Sequence, residues 1–286
     1  MPIQIRKLSH PLGAEIIGAD LREPLSDATF KEINDIFLQY GILLFRGHAL
    51  TRDQHIAFSK RFGELDNNDA QPRDRDPEYH ELALVTNRPK PDGKPSDSRY
   101  TGRVWHSDRS YTLVPAAASL LRALEIPDVG GETMFTNMYM AYDTLSDAYK
   151  NLIADLHGVH GGATRRIDDL TPERAAEMKR LNPPVAQPLV RVHPETGRKA
   201  LYVGDKVKKI VGMTEHESKP VLQYLCMHAT RYEFLYRHQW RQNDLIVWDN
   251  RCTMHIALGD FDETQRRHME RTTVMGTPSG YVCEDE

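Results

Sequence analysis

The 286-residue chain has few cysteines, no long apolar run and no excess of basic residues. Its cysteines, Cys226, Cys252 and Cys283, are odd in number and show no CxxC spacing. This argues against a disulfide framework and against a cysteine-based zinc site. The apolar stretches are too short to cross a bilayer, and the N-terminus lacks the apolar segment of a secretion signal. We therefore expect a cytoplasmic protein with no membrane partner.

The charge balance of the chain is slightly acidic. Lys plus Arg is 37 and Asp plus Glu is 41, which gives a net charge of −4 with neutral His. A general nucleic-acid binder would show a basic excess, so we expect no nucleic-acid partner. A local basic pocket for a small anion remains compatible with this balance. The 13 His are the one compositional excess, and they direct attention to metal or acid–base chemistry.

The chain reads as a single domain over residues 1–286, because its length fits one or two domains and no linker-like boundary interrupts it. Residues 66–102 differ from the rest, since five prolines interrupt a stretch dense in polar and charged residues. A loop of this length in a compact chain is a lid, a binding loop or a solvated excursion. We take residues 66–102 as a candidate lid.

The apolar periodicity predicts many short strands and a smaller number of helices. Residues 42–45 form a short apolar run typical of a buried strand, and residues 82–85 are the one part of 66–102 that predicts a strand. Residues 189–193 and 200–204 predict a hairpin. No regular alternation of strand and helix appears, which argues against a doubly wound sheet. We expect a mainly β protein with peripheral helices and a jelly-roll core, that is, a double-stranded β-helix. Four helix starts carry N-cap residues, two of them with a capping-box partner: Ser26, Thr51 with Gln54, Ser146, and Thr214 with Glu217. After Gly131 we expect the chain to return to helix.

The sharpest local pattern is the sequence His106-Ser107-Asp108. Residues two apart on a strand point to the same face, so the imidazole and the carboxylate would converge. Together they supply two ligands of a 2-His-1-carboxylate site, the arrangement of non-haem Fe(II) oxygenases. A His-x-Asp sequence also occurs by chance in many chains, so this pair needs support from elsewhere.

The C-terminal part of the chain offers the remaining groups. His255 ends the block 248–255 and is available as a third ligand from a distant strand. Arg267 and Arg271 follow four residues apart, which places them on one face of a strand. A guanidinium donates two parallel hydrogen bonds to a carboxylate. One of the two arginines therefore suits the far carboxylate of 2-oxoglutarate, and the other suits an anionic substrate.

Taken in order, these blocks resemble the TauD/TfdA family of Fe(II)/2-oxoglutarate dioxygenases, which includes taurine dioxygenase and 2,4-dichlorophenoxyacetate dioxygenase. The resemblance covers nearly the whole chain and implies the jelly-roll core already expected. The segments that carry it are residues 18–22, 44–47, 58–63, 105–108, 130–133, 190–204 and 248–255.

The resemblance implies roles for five residues at the cofactor site. Fe(II) would be held by His106, Asp108 and His255. The co-substrate 2-oxoglutarate would have its far carboxylate bound by Thr133 and Arg267, and O2 would be the oxidant. The family pattern implies no catalytic side chain beyond the metal site. It also implies a homodimer or a homotetramer.

The substrate side is less constrained by the resemblance. Arg271 falls where the family binds the acid group of the substrate, and Asn67 and Tyr111 are further candidates for lining the pocket. Taurine enzymes carry a His shortly after the segment that corresponds to residues 62–65, and this chain has Asp66 and Asn67 there. The difference favours an aryloxyalkanoate or another carboxylate over taurine or another alkylsulfonate.

The expected reaction is the hydroxylation of a small organic acid at a carbon next to a heteroatom, with release of succinate and CO2. Two alternatives of other classes use the same residues. A zinc hydrolase would bind the metal with the same triad and keep a water in the open position. A non-catalytic anion-binding jelly roll would keep the fold alone. Arg267 and Thr133 argue against the hydrolase, which needs no such pair beside its metal, and the triad argues against a mere binding module.

Overall fold

The chain is built mainly from short strands, with five α-helices around them in the residues that the structure describes. The structure is a computed structural model and describes residues 2–67, 75–90, 92–96, 98–161 and 183–283. The strands are β1 (Gln4–Lys7), β2 (Ala14–Ile17), β3 (Ile42–Phe45), β4 (Ala83–Thr86), β5 (Ala116–Glu125), β6 (Thr133–Asn137), β7 (His157–His160), β8 (Val185–Pro188), β9 (Val190–Val192), β10 (Lys199–Leu201), β11 (Val207–Ile210), β12 (Leu235–His238), β13 (Leu245–Asp249), β14 (Thr253–Ala257), β15 (His268–Met275) and β16 (Tyr281–Val282). The helices are α1 (Asp27–Tyr40), α2 (Arg52–Lys60), α3 (Met138–Asp143), α4 (Asp147–Ile153) and α5 (Glu215–Ala229).

The strands form one large sheet and three smaller ones. The large sheet has the order β1-β2-β3-β13-β5-β15-β4, and every pairing in it except β2 with β3 is antiparallel. The smaller sheets are β12-β6-β14, β11-β7-β8-β16 and the hairpin of β9 with β10. This arrangement is the jelly-roll core with peripheral helices that the sequence predicted.

A buried aromatic cluster joins the large sheet to the three-stranded sheet. Phe135 of β6 lies against Trp248 of β13, with 5.6 Å between ring centroids, and Met269 of β15 packs in the same cluster. The ring of His255, on β14, lies 4.8 Å from that of Trp248. His255, a candidate metal ligand, therefore lies on a strand that the hydrophobic core holds in place.

The N-terminal helices begin where the sequence placed their caps. Ser26 accepts a hydrogen bond from Thr29 N–H, and Thr51 forms both halves of its capping box. Helix α1 ends at Gly41, whose φ of +69° is the left-handed region that glycine adopts without a side-chain penalty. Helix α2 lies on the outer face of the large sheet, where Ser59 Oγ is 2.7 Å from Thr272 Oγ1.

The structure corrects one element and supplies another that the pattern did not predict. The sequence after Gly131 was expected to return to helix, but Thr133–Asn137 is strand β6, and the helix α3 starts only after it. The central strand β5 was not predicted, because its run of Ala and Leu has no alternation. Pairing with β13 on one side and β15 on the other keeps β5 extended despite that composition.

The candidate lid is partly tied to the large sheet. Strand β4 lies within residues 66–102 and pairs with β15, as the apolar run at 82–85 had indicated. Residues 68–74, 91 and 97 of the predicted lid lie outside the described residues. In the described part of the chain, every helix is too short or too polar to cross a membrane.

Candidate active site

Three potential metal-binding side chains, His106, Asp108 and His255, converge in the interior. Their donor atoms lie within 4.8 Å of one another, and all three residues are buried. His106 Nε2 is 3.7 Å from Asp108 Oδ1, and His255 Nε2 is 4.0 Å from Asp108 Oδ2. The structure thus brings together the three residues that the sequence selected, across almost 150 positions of chain.

The two histidines are fixed to each other through the backbone. His106 N–H donates to His255 O over 3.0 Å, and His255 N–H donates to His106 O over 2.9 Å. His106 therefore lies in an isolated antiparallel bridge rather than in a continuous strand, and Asp108 follows in a turn. The expected convergence of the pair occurs, although the local geometry is not the extended strand from which it was argued.

Asp108 is oriented by a buried hydrogen-bond network. Ser119 Oγ donates to Asp108 Oδ2 over 2.7 Å, and Asp108 N–H donates to Asn250 Oδ1 over 3.0 Å. Asn250 also accepts from Trp248 Nε1 and donates to Ser119 Oγ. Sequence reasoning missed Ser119 and Asn250 as parts of the site. Asn250 carried a usable signal, a polar residue next to a buried strand, whereas Ser119 is one hydroxyl in an Ala- and Leu-rich strand.

The protonation states suit a divalent metal. His106 Nδ1–H donates to Val104 O over 2.7 Å, which leaves the lone pair of Nε2 facing Asp108. Burial lowers the pKa of His255 to about 4 and lowers the pKa of His106 well below its usual range. Burial opposes ionisation of Asp108, but the charges of Arg271 and the histidines hold the pKa of this carboxyl below its usual range. Two neutral imidazoles and one carboxylate are therefore available at neutral pH, which fits a metal centre.

Arg271 reaches the metal-binding carboxylate. Its Nη1 donates to Asp108 Oδ1 over 2.8 Å, and its Nε is buried without a hydrogen-bond partner among the described residues. The sequence placed Arg271 on the acid group of a substrate. Its side chain lies beside the metal centre as that role requires, but one of its donors is already committed to Asp108.

Thr133 and Arg267 lie at the same end of the site. Thr133 pairs with Ala257, two residues from His255, so its side chain points to the same face of the sheet as that histidine. Its Oγ1 accepts from Trp240 Nε1 over 3.1 Å. Arg267 Nε donates to Gly131 O over 2.9 Å, two residues before Thr133.

The guanidinium of Arg267 lies at a small cavity whose lining includes three arginines. Ala257, Thr101 and Arg103 line this cavity together with Arg267. Burial and the charge of Arg103 lower the pKa of Arg267 to about 10. Arg267 precedes β15, and the pairing of β15 with β5 shifts between His268 and Met269, so the regular strand spacing assumed for Arg267 and Arg271 does not hold between them. Both side chains nevertheless make interior contacts, Arg267 with Gly131 O and Arg271 with Asp108. A buried cation in such a cavity suits a carboxylate ligand.

The remaining two candidates differ in position. Tyr111 is buried, and burial raises its pKa, with the charges of Arg271 and Asp108 acting on it as well. Asn67 is exposed, and no contact in the described residues brings it to the triad. Its neighbour Asp66 is closer to the site, since it accepts from Arg109 and its N–H donates to Thr273 O over 2.9 Å.

Lys206 is a further charged residue near the triad that sequence reasoning missed. Its Nζ lies 5.6 Å from the centroid of the Tyr111 ring. Its charge contributes to the lowered pKa of both His106 and His255. No sequence signal indicated it, because it follows a turn far from both motifs.

The fold and the site together define a class of protein. A jelly roll that presents two neutral imidazoles and one carboxylate to a single point has the 2-His-1-carboxylate centre of non-haem Fe(II) oxygenases. Catalytic zinc sites also use three protein ligands of these types, so the groups around the triad have to distinguish an oxygenase from a zinc enzyme.

Comparison with known proteins identifies the family. The family model described as "Taurine catabolism dioxygenase TauD, TfdA family" matches residues 4–273. The chain is 34% identical over 277 residues to the alpha-ketoglutarate-dependent 2,4-dichlorophenoxyacetate dioxygenase of Burkholderia sp. (strain RASC), covering 93% of each chain. It is 33% identical over 293 residues to the (S)-phenoxypropionate/alpha-ketoglutarate-dioxygenase of Sphingobium herbicidovorans, covering 96% of each.

A solved structure agrees with these relatives. The crystal structure of AAD-2 in complex with Mn(II) and N-oxalylglycine matches with a TM-score of 0.88 and 35% identity, over 98% of this chain and 99% of that one. The protein belongs to the TauD/TfdA family of dioxygenases. The family and the enzyme class that the sequence predicted are confirmed.

Proposed function

We propose that this protein is an Fe(II)- and 2-oxoglutarate-dependent dioxygenase that hydroxylates a small organic acid. The observation that carries the proposal is the buried convergence of His106, Asp108 and His255 in a chain of this family. When bound, Fe(II) and 2-oxoglutarate supply the oxygen activation, in which O2 and 2-oxoglutarate give succinate and CO2 as the substrate is hydroxylated. The relatives named alpha-ketoglutarate-dependent support this co-substrate.

The side chains of this protein provide binding and orientation. The imidazoles of His106 and His255 and the carboxylate of Asp108 would hold the metal, and Ser119 keeps that carboxylate in one orientation. Arg267 would bind the far carboxylate of 2-oxoglutarate.

Thr133 would act beside Arg267, on the same carboxylate. It lies on the metal-facing side of β6, paired with Ala257, two residues along β14 from His255. N-oxalylglycine, bound in the similar structure, has the same two terminal carboxylates as 2-oxoglutarate. The arginine-lined cavity at Arg267 supports this use of the site over a zinc hydrolase, and the buried triad supports it over a non-catalytic jelly roll.

The substrate class is inferred from the charges on the other side of the metal centre. Arg271 and Lys206 supply two cations against the single carboxylate of Asp108, so an anionic substrate would be stabilised there. The named activities of the relatives on aryloxyalkanoates favour a carboxylate at a carbon next to an ether oxygen. Hydroxylation of that carbon would give an unstable hemiacetal that releases a phenol.

A sulfonate is the second candidate for the substrate. The family description names taurine catabolism, and a sulfonate presents the same single negative charge to Arg271. Asp66 and Asn67 stand where taurine enzymes carry a His, and this ranks the sulfonate below the carboxylate. Tyr111 supports the ranking, because its buried ring offers an apolar wall suited to an aryl group.

The assembly and the lid belong to the same proposal. The family resemblance supports a homodimer or a homotetramer, and the exposed side chains of Met227 and Tyr232 offer apolar surface for an interface. The small number of cysteines and the free thiols of Cys226 and Cys252 support a reducing, cytoplasmic location. The segment that includes Thr101 and Arg103 borders the Arg267 cavity, which supports a lid role for part of residues 66–102.

The proposal is tested by measuring succinate released from 2-oxoglutarate in air with Fe(II). Phenoxyacetate, 2,4-dichlorophenoxyacetate, (S)-2-phenoxypropionate, taurine and a short alkylsulfonate are each added at the same concentration. We expect release to rise above the no-substrate rate with at least one acid, in step with formation of its hydroxylation product. Failure to consume 2-oxoglutarate with any acid in iron-loaded, folded protein would contradict the proposal. Hydrolysis of an ester by zinc-loaded protein would support the alternative class.

A further inference from the structure

Lys206 lies beside the metal centre on a turn that is fastened to the metal-binding segment. Asp205 N–H donates to Trp105 O over 2.9 Å, and Trp105 N–H donates to Asp205 Oδ2 over 2.8 Å. Trp105 directly precedes His106. The backbone of Lys206 accepts from Gly161 N–H over 3.0 Å. These contacts fix the base of the Lys206 side chain relative to the metal ligands.

The ammonium of Lys206 has no carboxylate partner within ion-pair distance among the described residues. Its Nζ lies over the face of the Tyr111 ring, 5.6 Å from the centroid. Arg271 differs in this respect, because its guanidinium is paired with Asp108 at 2.8 Å. Of the two cations beside the triad, Lys206 is therefore the one whose charge is not already matched.

Burying the Lys206 ammonium without an anionic partner costs free energy. Burial lowers the pKa of Lys206 to about 8, the charge of Asp108 opposes that shift and the charge of Arg271 adds to it. A cation removed from water without a partner is destabilising, and an anion placed next to it removes that penalty. The protein maintains this cost on a turn hydrogen-bonded to the metal-binding segment, close enough for the charge to act on His106 and His255, which is the situation expected of a ligand-binding group.

A second buried polar group in the same region lacks a partner. His160 is 2% exposed, and neither of its ring nitrogens has a hydrogen-bond partner in the described part of the chain. Burial, together with the charge of Lys206, lowers the pKa of His160 to about 3, so the ring is neutral. Its ring lies 5.6 Å from that of Tyr202, whose hydroxyl feels the charge of Asp108. Buried polar groups are normally hydrogen-bonded, so the unpartnered side chains of Lys206 and His160 together indicate a bound molecule or water.

We propose that Lys206 is the specificity-determining cation of this enzyme and binds the anionic group of the substrate, with the aryl part of the substrate against Tyr111. The inference deepens the proposed function and rests on it. Arg271, held by Asp108, then orients the metal-binding carboxylate and contributes charge, instead of being the sole anchor. His160 completes the polar side of the pocket. An ammonium is a point charge without the forked geometry of a guanidinium, so it accepts a carboxylate or a sulfonate, and the apolar wall selects for an aryl group.

The test compares Lys206→Met with Lys206→Arg and with the matched control Lys208→Met. Methionine keeps the length and apolar body of the side chain but removes the charge. Lys208 lies on β11, two residues after Lys206, and is exposed. 2,4-Dichlorophenoxyacetate and its neutral amide are each titrated, without oxygen, into enzyme loaded with Fe(II) and 2-oxoglutarate, and the dissociation constants are compared. The same titration by calorimetry on the metal-free protein gives a readout that does not depend on the cofactors.

We expect Lys206→Met to weaken binding of the acid at least tenfold and binding of the amide less than twofold. Lys206→Arg should retain part of the affinity, and Lys208→Met should behave as wild type. The KM for 2-oxoglutarate should be unchanged in all three variants, which also reports correct folding. Wild-type affinity of Lys206→Met for the acid, or an equal loss for the acid and the amide, would overturn the inference.

Failure of the inference is distinguishable from failure of the proposed function. If wild-type protein turns over 2-oxoglutarate with an acid that Lys206→Met binds equally well, only the role of Lys206 is refuted. If wild-type protein binds none of 2,4-dichlorophenoxyacetate, (S)-2-phenoxypropionate and taurine, the anion site is refuted as well. If no 2-oxoglutarate is consumed at all but the metal-free protein still loses acid binding in Lys206→Met, the anion site stands and the dioxygenase proposal falls.

Discussion

The metal-binding side and the substrate-binding side of the candidate active site differ in how far their polar groups are already hydrogen-bonded. On the metal side, His106 donates to a backbone carbonyl and Asp108 accepts from Ser119 while its N–H donates to Asn250. On the substrate side, Lys206 has no carboxylate partner among the described residues, and the ring nitrogens of His160 are unsatisfied there. His106 and Asp108 are held in place before any small molecule arrives, and on the metal side only His255 Nδ1 is buried without a partner among the described residues. On the substrate side, neither the Lys206 ammonium nor either ring nitrogen of His160 has one there.

The difference reflects what each side has to do. Hydrogen bonds to metal ligands fix their orientation and tautomer, so the geometry is ready when the metal binds. Unpaired polar groups keep a free-energy cost that a fitting ligand removes, and this makes binding selective. The metal side therefore explains the reaction class, and the substrate side explains the choice of acid.

The largest expected effect is the loss of a metal ligand. We expect His255→Ala to abolish Fe(II)-dependent turnover, because two remaining ligands leave the metal weakly held. Metal content after dialysis and succinate release measure the effect. His216→Ala is the control, since His216 is exposed and remote from the triad in sequence. Retention of iron and of activity in His255→Ala would show that His255 is not a metal ligand, and the metal-binding side would then be wrongly assigned.

The next effect concerns 2-oxoglutarate and has a matched neighbour. Arg267→Ala should raise the KM for 2-oxoglutarate by roughly 30- to 150-fold, because a buried charge-assisted hydrogen-bond pair contributes about 2–3 kcal/mol. Arg266→Ala, one residue away and exposed, should leave the KM within about twofold. Equal effects of the two substitutions would show that Arg267 is not the group that binds the co-substrate.

A smaller effect tests the hydrogen bonds behind the metal side. Ser119→Ala removes the donor to Asp108 Oδ2 and should lower metal affinity by about 10- to 100-fold. Ser59→Ala is a comparable buried control, because its hydroxyl bonds to Thr272 and to His55 O away from the metal. Titration of Fe(II) against a competing chelator measures the difference. Wild-type affinity in Ser119→Ala would mean that the carboxylate needs no support.

The smallest effect is on stability and concerns a residue outside the cavity. Burial lowers the pKa of His55 to about 3 in the folded protein, below the ordinary value of 6.5. Only the unfolded chain then takes up a proton as pH falls below about 6.5, so this stability is present above that pH and lost progressively toward 3. The slope is at most about 1.4 kcal/mol per pH unit. His55→Asn should flatten it in urea unfolding of the metal-free protein at pH 7, 6 and 5.

An unchanged acid slope in His55→Asn would show that this ring is not held neutral. The same measurement on His160→Asn sharpens the comparison of the two sides. His160 has a similarly lowered pKa but faces the substrate side, so its contribution should change when an anion is bound. The contribution of His55 should not respond to an anion, since it packs between α2 and the large sheet.

Much of the fold was readable from the sequence because its signals are local. The caps at Ser26 and Thr51 depend on a few neighbouring residues, and the structure places helices at both. Strand β5 was not readable, because its Ala- and Leu-rich sequence becomes extended only through pairing with β13 and β15. Strand β6 was mistaken for helix for a related reason, since its Met and Phe are held by partners distant in the chain.

The residues of the site likewise divide into those with a local sequence pattern and those without one. The triad was predicted because His-x-Asp and the block ending at His255 are contiguous patterns that occur together in one family. Asn67 was selected by its position in a loop, but its exposed side chain is not brought to the triad by any contact in the described residues. Ser119 and Lys206 have no local pattern at all. They join the site only because the fold places β5 and the turn before β11 next to the metal ligands.

The central claim is that His106, Asp108, His255 and Arg267 together hold Fe(II) and 2-oxoglutarate. The most direct test adds both to purified metal-free protein without oxygen and records the visible absorption spectrum. We expect a weak metal-to-ligand charge-transfer band in the wild type, its loss in His255→Ala and its weakening in Arg267→Ala. A folded, iron-loaded wild-type protein without the band, or a band of full strength in His255→Ala, would contradict the claim.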